Sequence, residues 1–185
     1  MNRSILRLGA ALGAGVVLLV PSVAQAHVGV SSPDAAREGF GKVVFRVPNE
    51  SEKASTTSLR ITLPKDQPLA FVSTQAKPGW KVEVTKSKLD QPLKTEYATV
   101  TEAVTAITWT SEGSGIPVGE FDEFAFSGGP LPDAKTMTFD ARQTYFDGEV
   151  VDWNQVQTGD EEPEHPAPVL TLAAASADHH GAAGD

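Results

Sequence analysis

The chain holds four histidines, His27, His165, His179 and His180, and no cysteine, so any metal must be held by nitrogen and oxygen. His27 has a special position. It follows Ala24-Gln25-Ala26, an A-x-A pattern of the kind cut at the end of a secretory signal. Cleavage between Ala26 and His27 would put a free α-amine and an imidazole on one residue. Ordinary pKa values of about 8 and about 6.5 mean that a metal displaces few protons to bind both near neutrality. The amine nitrogen and Nδ1 close one chelate ring, and nitrogen donors of this kind favour Cu(II) in a tetragonal arrangement.

Other chemistry is hard to place. A zinc hydrolase draws three ligands from a rigid scaffold, and the strand-rich part of the chain offers only His27. No G-x-S-x-G, P-loop or dinucleotide fingerprint occurs. Asp122 and Glu123 are adjacent, and neighbours on a strand point to opposite faces, which argues against a paired-carboxylate glycosidase. The expectation is a binding protein and not an enzyme.

Residues 1–26 have the parts of a signal peptide: Arg3 and Arg7, an apolar run from Leu8 to Val20, and small residues before the cut. That run is shorter than the roughly 20 residues of a spanning helix, so no membrane anchor is expected in the mature chain. Loss of 1–26 removes two cations and no acid, moving the formal charge from −9 to −11. So acidic a chain is a poor partner for nucleic acid or an anionic membrane surface.

The elements that must position His27 read as strands. "KVVFRVP" alternates Val43, Phe45 and Val47 with polar neighbours, and "SLRITLP" sets Leu59, Ile61 and Leu63 on one side. "GWKVEV" puts Trp80, Val82 and Val84 together, "AITWT" pairs Ile107 with Trp109, and Met137, Phe139 and Ala141 share a face. Asp147-Gly148 between extended runs is a hairpin signal. Eight or nine strands without a long helix predict an all-β, antiparallel β-sandwich of immunoglobulin or cupredoxin type over 27–157. "SKLDQPLKTEY" around Pro92 reads as a polar loop. Residues 158–185, acidic, Pro-rich and Ala-rich, read as a mostly disordered tail with a short strand near 169–172.

The segments "HVGVSSPDAA", "FRVPNESEKASTTSLRITLP", "KPGWKVEV", "ITWTSEGSGIPVGEFDEFAF", "FDARQTYFDGEVVDW" and "EHPAP" together resemble the YcnI-like copper proteins, from His27 to about Pro168. The resemblance implies a bacterial extracytoplasmic sandwich that binds one Cu(II) through a single N-terminal histidine. It also implies a glutamate and a tryptophan from later strands, carried over as Glu123 and Trp153, the indole packing beside the metal. Asp122 and Glu50 stand as substitutes for the carboxylate. His165 is a further candidate in its Pro-rich segment, and His179-His180 form a metal-catching tail.

The implied role is copper acquisition, delivery or homeostasis in the envelope or outside the cell, with a membrane copper transporter or a cuproenzyme as partner. Three alternatives stay open: a CopC-like copper carrier, a histidine-brace copper oxygenase that recruits His165, and an interaction sandwich that binds no metal.

Overall fold

The computed structural model describes residues 27–161 and 163–175. Residues 1–26, expected to be a signal peptide, and the His179-His180 pair lie outside the described residues. Strands follow one another with no helix long and apolar enough to cross a membrane among the described residues. One sheet takes β1 (Gly29–Ser31), β2 (Gly41–Pro48), β7 (Phe121–Gly129) and β4 (Phe71–Thr74), in the order β1-β2-β7-β4. The other takes β3 (Thr56–Thr62), β5 (Trp80–Lys94), β6 (Thr99–Ser111), β9 (Asp140–Tyr145) and β10 (Val150–Trp153), in the order β10-β9-β3-β6-β5. A pair of short strands, β8 (Thr136–Thr138) and β11 (Val169–Thr171), completes the fold. All pairings between these strands are antiparallel, as the absence of crossover helices predicts.

The alternation read from sequence becomes the core. Val43, Phe45 and Val47 of β2 face Leu59 and Ile61 of β3 and Ile107 and Trp109 of β6, all buried. Phe139 knits the sheets together: its ring meets Phe45 edge-on at 5.1 Å and Phe126 at 6.4 Å. The run around Phe139 is not one strand. Met137 and Ala141, both buried, belong to β8 and β9 in different sheets, with Phe139 at the step between them.

Two expectations need correction. The stretch around Pro92 is not a loop: β5 runs on through Lys94 and β6 begins at Thr99, so the turn is confined to the residues between. Register irregularities between Lys88 and Leu93 let the proline-bearing edge strand accommodate this. The sandwich also does not stop at 157. Val169–Thr171 pairs with β8, Leu170 and Leu172 are buried, and Ala173 bridges Ala36. The short strand expected near 169–172 is present as β11; the Pro-rich segment before it reads as unstructured locally, yet the apolar residues that follow find a partner in β8.

Candidate metal centre

His27 is placed by register. Gly29 lies opposite Arg46, so the chain two residues earlier runs alongside the end of β2 at Pro48, just before Asn49 and Glu50. The turn that follows is pinned. Buried Asn49 donates from its side chain to the carbonyls of Ala54 and Ile116 at 2.9 and 2.8 Å, and its Oδ1 accepts from Ser51 N–H at 2.9 Å. Gly115 makes room for this: a Cβ there would lie 2.0 Å from the carbonyl oxygen of Thr56. Glu50 is therefore held near His27 by the backbone on both sides of it.

Trp153 is fully buried at the end of β10, an edge strand of the other sheet. It lies opposite Ala141, so Gln143 is its diagonal neighbour on β9. The indole N–H donates to Gln143 Oε1 at 3.1 Å, and Gln143 Nε2 donates to the Pro48 carbonyl at 2.9 Å and to Thr56 Oγ1 at 2.7 Å. This chain of bonds satisfies a buried amide and fixes the indole against the end of β2. The imidazole of His27 packs on Trp153 with ring centroids 5.6 Å apart and planes tilted by 54°.

His165 meets the same indole, edge-on at 5.1 Å. Gln155, two residues beyond Trp153, holds it there. Gln155 N–H donates to the His165 carbonyl at 3.0 Å, His165 N–H donates to Gln155 Oε1 at 2.9 Å, and Ala167 N–H donates to the Gln155 carbonyl at 2.9 Å. The prolines at 163, 166 and 168 restrict the strap further. Nδ1 of His165 is buried and has no hydrogen-bond partner among the described residues.

Glu50 is the carboxylate of this group. Partial burial of its carboxyl raises its pKa above the usual carboxylate value, while the His27 and His165 imidazoles pull it the other way. Tyr145 stands behind it. Burial pushes the phenol up to about 12, even though the Glu50 backbone N–H bonds to its hydroxyl.

The structure thus gathers His27, Trp153, His165 and Glu50 at one edge of the sandwich and leaves the other two carboxylate candidates outside. Glu123 is exposed in mid-strand opposite Arg46, whose guanidinium sits 6.0 Å from the Phe121 ring. Asp122 is engaged with Lys77 at 2.7 Å. Among the described residues no three His, Asp or Glu side chains converge into a ready-made metal cage. The donors that fit a metal are therefore few: imidazole at 27, an orphaned imidazole nitrogen at 165 and one carboxylate.

A family model described as a domain of unknown function, DUF1775, matches residues 27–172. The chain belongs to the DUF1775 family. The matched span opens on His27 and reaches past β11, in agreement with the inclusion of the strap in the fold. A copper-binding protein of Bacillus subtilis strain 168, CutI, is 29% identical over 170 residues, covering 91% of this chain and 74% of that protein. A protein from Nocardia farcinica whose crystal structure is described as revealing an immunoglobulin-like fold is 43% identical. It superposes with a TM-score of 0.66 over 80% of this chain and 98% of that one. The expected resemblance to YcnI-like copper proteins and the expected sandwich are both met by these relatives.

Proposed function

We propose that this protein carries Cu(II) outside the cytoplasm, with His27 as the residue that takes the ion. The observation that carries the reading is the packing of His27 and His165 on one buried indole with the Glu50 carboxyl near both imidazoles, in a chain related to a copper-binding protein over most of its length.

Copper is cargo in this reading. Once residue 27 is the first residue, its α-amine and imidazole offer two nitrogens, and Glu50, whose carboxyl feels both imidazoles, offers an oxygen from the turn after β2. Trp153 is no donor, since its N–H has no lone pair to give and is already committed to Gln143. Its part is to give the His27 ring an apolar wall that fixes the ring's orientation and keeps water from one side. His165, whose buried Nδ1 lacks a partner among the described residues, places a second imidazole against the same indole. A site with so few firm ligands suits release to a partner, such as a membrane copper transporter or a cuproenzyme.

The test is a Cu(II) titration of the secreted chain and of His27→Gln, followed by melting temperature and by electron paramagnetic resonance. One bound ion per chain and a copper-dependent rise in melting temperature are expected, both lost in the variant, because a ligand bound only by the folded state stabilises it. A melting temperature indifferent to copper would favour an interaction sandwich without a metal. The presence of His165 beside the same indole makes the oxygenase alternative worth a direct assay. Reductant-dependent peroxide formation or polysaccharide cleavage above that of free copper would replace the carrier by an enzyme.

A further inference from the structure

The sandwich has a second open side, at the ends of the sheets farthest from β1 and β10, where β4 closes one sheet and β5 the other. A cleft of about 660 Å³ lies there, with the consecutive residues Ala70 to Ser73 on one wall and Glu102 to Val104 on the other. Consecutive residues of a strand point to alternate faces, so a wall made of them is a strand edge.

Both edges lack a partner strand among the described residues. β4 pairs only with β7. Gln75 N–H donates to the Ala125 carbonyl at 2.9 Å, which makes 75 and 125 a hydrogen-bonded pair. By antiparallel alternation Ser73 is bonded inward to Ser127, and Val72 and Thr74 turn their N–H and C=O groups away from β7. On the facing wall, β3 pairs with β6 only from Ala106 to Thr110, and Leu63 N–H reaches the Thr105 carbonyl. The part of β6 before that point pairs with β5 alone.

Aromatic rings rim the cleft. Phe40 stands 6.0 Å from Phe71 and 5.9 Å from Tyr97, and the three are 46%, 40% and 62% exposed. Tyr97 sits at the tip of the β5–β6 arm, in a turn tied by Thr95 N–H to the Ala98 carbonyl at 2.9 Å. Phe40 is seated by a close approach: a Cβ at Gly129 would lie 2.7 Å from the Gly39 carbonyl oxygen and 2.9 Å from the Phe40 ring. Edge strands are usually guarded by a charge, a proline or a bulge. "FVST" of β4 has none of these.

We propose that this cleft receives an extended segment of a partner protein as an added strand, with a bulky apolar side chain seated among Phe40, Phe71 and Tyr97. The unpaired main-chain groups decide the occupant. A polypeptide offers N–H and C=O groups repeating at the spacing of the strand it joins, which matches Val72 and Thr74 in turn; a sugar's hydroxyls have no such fixed repeat, and a lipid chain has neither donor nor acceptor. Lys86 and Glu102, of opposite charge, both line the cleft and leave it without a net preference for a charged segment. The His27 edge lies on the far side, so a partner held here leaves the metal centre open.

The probe is a displayed library of random heptapeptides panned on the purified chain, after depletion on a Phe71→Ser/Tyr97→Ser double variant whose fold is checked by circular dichroism. Peptides with alternating apolar residues are expected. N-methylation of alternate amides should weaken them at least tenfold, and binding should slow amide exchange at Val72 and Thr74 at least tenfold. A free chain in which these two amides are already protected would overturn the proposal. So would a selection yielding no peptide that depends on the aromatic rim, or peptides indifferent to N-methylation.

Discussion

The two lateral edges of the sandwich are built on opposite plans. At the β1/β10 edge buried side chains are tied to one another and to the backbone: the Trp153 indole to Gln143, Gln143 to β2 and β3, and the His165 strap to Gln155. At the β4/β5 edge, main-chain groups of β4 and of the first part of β6 have no further partner strand among the described residues. The first plan holds a few side chains in fixed places, which a metal needs. The second leaves backbone groups at strand spacing open, which suits the addition of another strand. The difference teaches that the rigid edge should respond to substitution through stability as well as function, while the open edge should respond through binding alone.

That contrast can be broken in several ways. Trp153→Ala should have the largest effect, roughly 3–5 kcal/mol of lost stability in urea denaturation, since it removes the largest ring at this edge and empties a buried site. Gln143→Ala should cost about 2–3 kcal/mol by the same measurement, because it leaves the indole N–H and the Pro48 carbonyl without their buried partner. Asp152→Asn should have a small effect. The Asp152 carboxylate is held below its ordinary pKa chiefly by its bonds to Arg142, at 2.6 and 2.9 Å, but the pair is at the surface and screened. A lowered carboxylate pKa stabilises above the unfolded value and is lost as pH falls through the folded one. The difference between wild type and Asp152→Asn should therefore vanish in acid and persist at neutral pH. Tyr97→Ser at the open edge should leave the denaturation curve unchanged. A loss there as large as at Gln143 would mean that the arm is part of the core and that the two edges are not built differently.

Much of the fold was legible because its strands are half-buried and alternate. Val43, Phe45, Val47, Leu59, Ile61 and Trp109 went where a period of two put them. What could not be read was which strands meet across the fold. The alternation in β7 showed that Glu123 and Phe124 face opposite ways, but nothing local says that β1 lies at the sheet edge nearest β10. The turn carrying Glu50 depends on buried Asn49 reaching carbonyls at Ala54 and Ile116, a contact invisible along the sequence. His165 was a candidate from sequence, but its place was hidden for a related reason: its Pro-rich surroundings suggest a loose tail, and Gln155, which anchors it, has no signature of its own. His27 was visible because its signal is covalent, a processing pattern and not a tertiary contact.

The most direct test of the account compares the chain that begins at His27 with one carrying a single extra alanine before it, by competitive Cu(II) titration. Both keep the imidazole, Trp153, Glu50 and His165; in the extended chain the nitrogen of residue 27 is an amide and the free amine has moved to the added alanine, away from its chelating position beside Nδ1. The account predicts that the extension weakens Cu(II) at least 100-fold, about 2.7 kcal/mol. Equal affinity in the two would contradict it.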